Sequence, residues 1–324
     1  MHAFVTGGSG FVGGHVTRRL AADGHRVTAL ARSSEAADRV RDLGAEPAMG
    51  DVADRLALEA GMSGAEVAYH CAAWVGTWGD RTEIWRVNVD GTRAVLDAAR
   101  RTGVRRVVHV STESVLLDGS SFEGTDETRP YPDRFLSDYA ETKAVAERLV
   151  LEANGDDLET IALRPRQVWG PGDDTWFPAL AAKVRSGVFR WVDDGRHLGS
   201  STHVQNLVEA LMLATDRGHP GEVYFVTDGP PRTFREFVTR YLGAAGIEIP
   251  DRSAPGWLMR ILASAVERIW RLFRIDSTPP LVRVEASMVS HPQWFDDSKA
   301  RRDLGYEPVV TFEEGMDRLE RRAR

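Results

Sequence analysis

The chain has 324 residues, a formal net charge of −7 and a single cysteine. Its length is sufficient to bury a large hydrophobic core, in one large domain or two unequal ones. The acidic balance argues against nucleic acid as a partner, because binding to phosphate backbones requires an excess of Lys and Arg on one face. One cysteine excludes an intramolecular disulfide and argues against a structural zinc site, so we expect no metal and a cytoplasmic location.

Short apolar segments alternate with amphipathic segments through the first half of the chain. The segments with the length and composition of buried strands are HAFVT, RVTALA, EPAMG, EVAYHCAA, RRVVHVS and ETIALRP. Helices are predicted between them over residues 11–23, 36–43, 86–102 and 139–152. This alternation predicts a Rossmann-type, doubly wound α/β fold, in which helices cover both faces of a parallel sheet.

A glycine-rich turn follows the first predicted strand. The segment FVTGGSGFVGGHV spans residues 4–16 and places Gly7, Gly10 and Gly13 at intervals of three. Between a strand and a helix, such a turn can bind a dinucleotide pyrophosphate, because backbone N–H groups and the helix N-terminus attract phosphate. The predicted cofactor contacts in this turn are Gly7, Ser9, Gly10, Phe11, Val12 and Gly13.

The end of the second predicted strand indicates which dinucleotide is bound. In NAD-binding proteins an acidic residue at this point holds the ribose hydroxyls. Here Ala31 occupies that position and is followed by Arg32 and Ser33. Because a guanidinium can bind a 2′-phosphate through two hydrogen bonds, we predict NADP(H) as the favoured cofactor. NAD(H) is the alternative if Arg32 is only an exposed arginine.

A tyrosine and a lysine four residues apart indicate the chemistry. Tyr139 and Lys143 in YAETK lie one helical turn apart, so their side chains share a face. A nearby ammonium favours phenolate and lowers a tyrosine pKa from its usual value of about 10. Ser111 or Thr112, at the end of RRVVHVS, can supply a hydroxyl to orient a substrate oxygen. Together with a dinucleotide site, these groups predict proton exchange coupled to hydride transfer.

The alternation of strands and helices loosens beyond Pro165. WGPGDD has the composition of a loop, and a predicted helix ending at Gly218 precedes a predicted strand in GEVYFVTDG. We therefore predict an NAD(P)-binding domain over residues 1–165, with interleaved segments from about 195–230. Residues 166–324 form mainly a smaller α/β substrate lobe.

The segment 255–275 has the pattern of an amphipathic helix. The apolar face contains Leu258, Ile261, Leu262, Ala265, Ile269 and Leu272. The charged face contains Arg260, Glu267, Arg271 and Arg274. These charges argue against a membrane-spanning helix. Two interpretations stay open: a core or lid helix of the substrate lobe, or an interfacial helix that makes weak contact with a membrane surface.

The order of these motifs resembles that of the extended short-chain dehydrogenase/reductase family, within the NAD(P)-dependent epimerase/dehydratase superfamily. The motifs are the glycine turn, HCAA at 70–73, Asn88, VST at 110–112, Tyr139, Lys143 and LRP at 163–165. HVQN at 203–206 and FDDSKARRDLGYEP at 295–308 extend the resemblance over nearly the whole chain.

The resemblance implies a role for each matched residue. Tyr139 is the catalytic acid–base, Lys143 lowers its pKa and contacts the nicotinamide ribose, and Thr112 is the catalytic hydroxyl. A homodimer is also implied, because members often associate through helices such as 86–102 and 139–152. The remaining implied cofactor contacts are Asp51 and Val52 at the adenine, Cys71, Ala72 and Ala73 along the dinucleotide, Asn88 between backbone and active site, and Pro165 and Val168 at the nicotinamide.

Departures from the family's patterns bear on the substrate. Sugar-nucleotide dehydratases carry two successive carboxylates after the catalytic threonine, whereas here Glu113 is followed by Ser114. Gln167 and Trp169 replace an Asn and a Tyr of many sugar-nucleotide enzymes, and Gly199 lies where an arginine often binds the diphosphate. A sugar nucleotide therefore lacks its expected contacts.

A less polar substrate is favoured instead. The pattern is closest to 3β-hydroxysteroid dehydrogenase-like, dihydroflavonol reductase-like and olefin-synthesis 3-ketoacid reductases, and AAWVGTWGD at 72–80 resembles the last group. We predict an NAD(P)-dependent oxidoreductase that interconverts a secondary alcohol and a ketone on a largely apolar small molecule. Its predicted pocket, unless the tryptophans are core residues, contains Trp74, Trp78, Glu113, Trp169 and Trp176. The alternatives are a nucleotide-sugar epimerase or dehydratase with tightly bound NAD, and a non-catalytic NADP-binding protein.

Overall fold

A computed structural model describes residues 1–273, 275 and 277–323, so that Arg274 of the predicted amphipathic segment lies outside the described residues. The strands are β1 (His2–Thr6), β2 (Arg26–Ala31), β3 (Glu46–Met49), β4 (Val67–His70), β5 (Arg106–Val110), β6 (Phe122–Thr125), β7 (Glu159–Pro165), β8 (Val168–Trp169), β9 (Trp191–Val192), β10 (Leu198–Gly199), β11 (Thr202–His203), β12 (Val223–Val226), β13 (Arg232–Thr233), β14 (Ser253–Ala254) and β15 (Gln293–Phe295).

Helices connect these strands and cover the sheet. They are α1 (Phe11–Ala22), α2 (Ser34–Asp42), α3 (Arg55–Met62), α4 (Arg81–Trp85), α5 (Gly91–Thr102), α6 (Asp138–Glu152), α7 (Trp176–Arg185), α8 (Val204–Arg217), α9 (Phe234–Gly243), α10 (Gly256–Leu272), α11 (Arg283–Val289), α12 (Ser298–Leu304) and α13 (Phe312–Ala323). A π-helical segment (Arg86–Asp90) joins α4 to α5, and 3₁₀ turns occupy Glu113–Leu116 and Asp193–Gly195.

Within the described residues, seven parallel strands form the main sheet in the order β12-β7-β5-β4-β1-β2-β3. From β1 the chain builds outward through β2 and β3, then returns to the other side of β1 with β4. The carboxyl ends of β1 and β4 therefore border the crevice where ligands bind in folds of this type. The predicted Rossmann-type α/β class is confirmed.

Two hydrophobic clusters cover the two faces of this sheet. One contains Leu20 of α1 and Leu211 of α8, packed with residues of β1, β2 and β4. The other contains Leu58 of α3 and Val95 of α5, packed with Phe4 and other sheet residues. Burial on both faces explains why the strands are nearly continuous apolar runs rather than alternating ones.

Strands from the two halves of the chain pair with each other in both larger sheets. The second sheet has the order β13-β10-β15-β6, so β6 from the first half of the chain pairs with β15 near its end. Conversely, β12 is an edge strand of the main sheet, where it pairs with β7. These pairings connect the second half of the chain to the first.

The helix predicted over 86–102 begins earlier and is interrupted. Asp80 starts α4 by accepting a hydrogen bond from the N–H of Thr82 at 2.9 Å. The helix then widens into the π-helical segment, which contains Asn88, and Gly103 with φ of 75° ends α5. Such π-helical widenings occur frequently at functional sites.

The helix α10 is not oriented as a core helix would be, because its apolar face points outward. Its apolar residues Ile261 and Leu272 are 58% and 77% exposed, whereas Glu267 is 7% exposed and accepts the N–H of Arg283 at 2.5 Å. The interpretation in which the apolar face packs into the core is therefore wrong: periodicity defines a face but not the side on which it packs. No helix in the described part of the chain is both long and apolar enough to cross a bilayer.

Candidate active site

The glycine-rich turn between β1 and α1 is a close-packed cradle. A Cβ on Gly7, whose φ is 69°, would lie 2.9 Å from the backbone nitrogen of Ala72. A Cβ on Gly13 would lie 2.2 Å from the carbonyl oxygen of Gly7. Gly10 is exposed, and its N–H donates to the Gly7 carbonyl at 3.0 Å. The glycines at both ends are thus required by packing, whereas a Cβ on Gly10 would lie 3.4 Å from the Gly7 carbonyl oxygen, a much looser contact.

The N-terminus of α1 fits a phosphate group. Gly10 is its N-cap, and within the described residues no side chain caps it and no acidic residue lies in its first turn. Ser9, Phe11 and Val12 are partly exposed around it. The unpaired N–H groups and the helix dipole therefore attract an anion such as a pyrophosphate.

The ends of β2 and β3 carry the residues predicted at the adenosine end. Arg32 is exposed, whereas the Ser33 hydroxyl caps α2. The Asp51 carboxylate accepts a hydrogen bond from Nη1 of Arg86 at 2.6 Å, which lowers the pKa of Asp51. Val52 is buried beside this pair. Arg32 is the cation at this edge that stays exposed to a ligand.

Asn88 joins the segment after β4 to α6. Its Oδ1 accepts the N–H of Trp74 at 2.7 Å, and its Nδ2 donates to Oγ1 of Thr142 at 3.0 Å. Residues 71–73, immediately before, are partly exposed at the crevice, and burial raises the pKa of the Cys71 thiol to about 12. Asn88 therefore fixes the loop beside the predicted cofactor path.

Thr112 and Tyr139 are brought together at the carboxyl end of β5. Thr112 follows a strand and Tyr139 lies on α6, and the Thr112 hydroxyl is close enough to act on the pKa of Tyr139, which it lowers. Tyr139 is partly exposed by area, but its phenol lies deep enough that burial, followed by the charge of Glu113, raises its pKa. The expectation that Lys143 lowers this pKa is not met, and Tyr139 holds its proton at neutral pH.

Lys143 lies below this pair, in a buried polar network. Its ammonium donates to the Val110 carbonyl at 2.8 Å and to Nε2 of His109 at 3.2 Å. A lysine can only donate, so His109 must accept at Nε2. Burial lowers the pKa of Lys143 to about 8 and keeps His109 neutral by lowering its pKa as well.

His70 extends the network toward the glycine turn. Its Nδ1 lies 2.8 Å from Oγ1 of Thr6 and its Nε2 lies 2.9 Å from Oγ1 of Thr92, while its ring centroid is 5.0 Å from that of His109. Sequence reasoning missed both histidines, because each lies in an apolar strand and resembles a core residue. The available signal was their position near the carboxyl ends of two neighbouring strands.

A buried ion pair lies on the other side of Thr112. Oε1 of Glu113 is 3.8 Å from Nε of Arg166, and the residues are 2% and 6% exposed. Burial raises the pKa of Glu113 and lowers that of Arg166. The charge of each residue opposes the pKa shift of its partner. Sequence reasoning missed Arg166. The available signal was its position two residues after Arg164, an arginine within a predicted buried strand.

Several polar atoms beside this pair lack hydrogen-bond partners. Among the described residues none is found for Nε of Arg166, Nε2 of Gln167 or Oγ of Ser111, all of them buried. Gln167 has φ of 45°, a left-handed conformation that is uncommon outside glycine. Arg166 and Gln167 also line a small surface pocket, together with Phe234, Phe237 and Met288. Buried polar groups without partners are unusual and are candidates for ligand contacts.

The four predicted pocket tryptophans lie in two places. Trp74 and Trp78 are partly exposed in the loop after β4, where the Arg271 guanidinium lies 5.5 Å from the Trp78 ring centroid. Trp169 is fully buried, and its Nε1 donates to Asp228 at 2.7 Å, so it is a core residue and not a pocket wall.

Trp176 and the predicted nicotinamide-side residues lie in the lobe and at its border. Trp176 stacks on Tyr241 at 5.7 Å within the same aromatic cluster as Trp169. Pro165 ends β7, and Val168 begins β8, partly exposed, next to Gln167. No cluster of three His, Cys, Asp or Glu side chains in the described part of the chain could hold a metal ion.

The fold and this geometry define the class of the protein. A parallel sheet with a glycine cradle at its switch point, and a Thr–Tyr–Lys group beside it, is that of an extended short-chain dehydrogenase/reductase. In comparisons with known proteins, the sequence matches the 3-beta hydroxysteroid dehydrogenase/isomerase family over residues 4–255, and the chain belongs to that family. It is an NAD(P)-dependent oxidoreductase that interconverts alcohols and ketones, and its cofactor is a nicotinamide dinucleotide.

Three known proteins illustrate this relationship. The 4-hydroxy-2-methyl-3-oxo-4-farnesyl-3,4-dihydroquinoline-1-oxide ketoreductase of Stigmatella aurantiaca is 43% identical over 319 residues, which cover 98% of this chain and 96% of the relative. The 2-alkyl-3-oxoalkanoate reductase of Stenotrophomonas maltophilia is 38% identical over 330 residues, 98% of both chains. The structure of MoeE5 in complex with UDP-glucose and NAD has a TM-score of 0.75 and 26% identity, covering 100% of this chain and 99% of that one.

Proposed function

We propose that the protein is an NADPH-dependent reductase of ketones that carry a large apolar group. The observation that carries this proposal is the Thr112–Tyr139 hydroxyl pair beside the glycine cradle, with a tyrosine whose pKa is raised. A tyrosine that keeps its proton at neutral pH can donate it to a ketone oxygen but is a weak base toward an alcohol. The protonated tyrosine is the state that ketone reduction requires.

Each residue of the site has a distinct role in this proposal. A bound reduced dinucleotide would supply hydride to the carbonyl carbon. Tyr139 donates its proton to the carbonyl oxygen, and Thr112 holds that oxygen in place. Lys143 contacts the ribose, while Asn88 fixes the adjoining loop through Trp74. The C-terminal lobe excludes water from the reaction.

The substrate class is inferred from the relatives and from the lobe. Two relatives are named for reduction of an oxo group on molecules with farnesyl or alkyl substituents. In this chain Trp74 and Trp78 offer partly exposed apolar surface in the loop after β4. Position 199 is a glycine whose Cβ would lie 2.9 Å from Nη1 of Arg166, so a side chain there requires this guanidinium to move. The chain therefore lacks the arginine that often binds a sugar-nucleotide diphosphate.

A substrate panel tests this proposal against its alternatives. NADPH oxidation is measured with long-chain 2-alkyl-3-oxo acids, prenylated cyclic ketones and short polar ketones, and UDP-glucose is assayed separately for epimerisation. We expect oxidation of NADPH with the apolar ketones and no reaction of the sugar nucleotide. Sugar conversion without net redox change identifies an epimerase or dehydratase instead. NADPH binding without turnover of any substrate identifies a non-catalytic protein.

The preference for NADP(H) is a separate part of the proposal. It is supported by exposed Arg32 at the end of β2, where Ala31 replaces the acidic residue typical of NAD-binding proteins. A charge-assisted hydrogen bond contributes about 1.5–3 kcal/mol, so Arg32→Ala should weaken NADPH binding by about tenfold to a hundredfold. NADH binding should not change. Equal loss for both dinucleotides would contradict a 2′-phosphate contact at Arg32.

The exposed face of α10 binds an anionic membrane surface in this proposal. Trp257, Ile261 and Leu272 are 59%, 58% and 77% exposed. Arg268 and Arg271 are exposed on the same helix, whereas its glutamate is buried, so the accessible charge of α10 is positive on an otherwise acidic protein. Apolar residues with flanking arginines are typical of interfacial helices.

Vesicle sedimentation tests this membrane contact. The protein should sediment with phosphatidylglycerol vesicles and much less with phosphatidylcholine vesicles. Ile261→Ser with Leu272→Ser should abolish sedimentation. The control Leu56→Ser, at a leucine that is 68% exposed on α3, should not. Absence of binding to either vesicle would contradict the contact.

A cytoplasmic location and a homodimer complete the proposal. The dimer rests on the family resemblance, with α5 and α6 of each copy forming a four-helix contact. Light scattering in solution measures the mass, and a monomer at all concentrations would contradict this assembly.

A further inference from the structure

The proton of the Thr112 hydroxyl is already used in a hydrogen bond. The hydroxyl donates to Oε2 of Glu113 at 2.8 Å and accepts the N–H of Ser114 at 3.2 Å. A hydroxyl has one proton and two lone pairs, so one lone pair remains but no second proton. Its proton in particular is directed to Glu113, away from any ketone oxygen.

Glu113 is buried, and its environment acts on its charge in opposite directions. It is 2% exposed, and burial raises its pKa, while the guanidinium of Arg166 at 3.8 Å acts in the opposite direction. The other titratable group that faces it is the phenol of Tyr139 on α6. Arg166 is held in turn by the Ser200 carbonyl, which its Nη1 contacts at 2.8 Å.

We propose that Glu113 is a positioning residue that sets the direction of the Thr112 hydroxyl. When Glu113 is ionised, it accepts the Thr112 proton, and Thr112 cannot donate to the substrate. When Glu113 takes a proton from solvent, its carboxyl O–H donates to Oγ1 of Thr112, and the Thr112 proton is released toward the ketone oxygen. The inference rests on the proposed function, in which Thr112 holds that oxygen.

This arrangement predicts the direction of a pH effect. Ketone reduction should fall as pH rises through the pKa of Glu113, which lies above the usual carboxyl value. Removing one hydrogen-bond donor from a reacting oxygen lowers a rate by about a hundredfold to a thousandfold, so we expect kcat/KM to fall by at least about tenfold across this transition. A residue that only packs against its neighbours would produce no such transition.

Glu113→Gln is the direct test. Its amide N–H can donate to Thr112 at every pH, so kcat/KM for ketone reduction should lose the transition and should exceed that of the wild type at higher pH. The matched control is Glu127→Gln, at a carboxyl whose pKa is also raised by burial but which accepts the N–H of Phe225 away from the site. The control should keep the wild-type profile.

A second variant covers the case in which Glu113→Gln fails to fold. Arg166→Gln removes the positive charge opposite Glu113, so the pKa of Glu113 rises and the transition should move to higher pH. An unchanged transition in either site variant, or a uniform loss of activity at all pH values in folded Glu113→Gln, overturns the inference. If the wild type reduces no ketone at any pH, the proposed function fails instead.

Discussion

The two walls of the active site satisfy their polar groups differently. On the wall formed by β1, β4 and α6, His70, Asn88 and Lys143 each make two or more hydrogen bonds inside the protein. On the other wall, Nε of Arg166 and Nε2 of Gln167 are buried and have no hydrogen-bond partner among the described residues. In the proposed function, the first wall is preorganised for the dinucleotide and the second offers these donors to the substrate.

This difference agrees with the family relationship. The glycine turn and the Tyr–Lys helix belong to the preorganised wall, and they resemble those of enzymes with different substrates. Gly199 and Gln167 belong to the other wall and depart from the sugar-nucleotide pattern. Unpaired donors favour the ligand that pairs them. In the proposed function, the second wall therefore selects the substrate.

Among substitutions on the preorganised wall, replacement of Tyr139 should cause the largest loss of turnover. Tyr139→Phe removes the proton donor while the ring keeps its packing, so turnover should fall by about a hundredfold to ten-thousandfold. Steady-state kinetics with NADPH and an apolar ketone measures the loss, and fluorescence titration should give nearly unchanged cofactor affinity. Turnover at the wild-type rate would remove Tyr139 from the mechanism.

Two adjacent glycines of α1 test the cradle. Gly13→Ala places a methyl group 2.2 Å from the Gly7 carbonyl oxygen, whereas at Gly14 the nearest atom, the Gly8 carbonyl oxygen, is 3.5 Å away. Overpacking costs about 1–3 kcal/mol, so Gly13→Ala should weaken dinucleotide binding by about tenfold to a hundredfold. Gly14→Ala should bind normally and unfold at a slightly higher temperature, because alanine favours the helix. Equal binding by the two variants would argue against the close packing.

Removal of His109, which accepts a hydrogen bond from Lys143, should lower activity less than the loss of Tyr139 does. His109→Leu leaves the buried ammonium with fewer partners, so the pKa of Lys143, about 8, should fall. The alkaline limb of the rate profile then moves to lower pH, and kcat should decrease by about tenfold. His109→Gln restores an acceptor and should recover part of both changes. The same profile in wild type and His109→Leu would show that His109 does not act through Lys143.

The sequence made the preorganised wall predictable, because its chemistry depends on residues at short fixed spacings. Gly7, Gly10 and Gly13 lie within one turn and helix, and Tyr139 and Lys143 lie one helical turn apart. The parallel sheet followed from the alternation of apolar strands with amphipathic helices.

The second wall could not be predicted in the same way, because it is formed by contacts between distant segments. Nothing local places Arg166 opposite Glu113, buries Trp169 against Asp228 or turns the apolar face of α10 outward. His70 and His109 were hidden for a different reason: a buried polar residue in an apolar strand has the same sequence pattern as a core position. Only the three-dimensional pairing of β4 with β5 brings their rings together.

Isotope transfer tests the central claim most directly. The protein is incubated with NADPH that carries deuterium at both hydrogen positions of C4 of the nicotinamide and with a long-chain 2-alkyl-3-oxo acid, and the product is analysed by mass spectrometry. The account predicts a 3-hydroxy product with one deuterium on the carbinol carbon, formed by wild type and at least about a hundredfold more slowly by Tyr139→Phe. Unlabelled product, or label transfer at the wild-type rate in Tyr139→Phe, would contradict it.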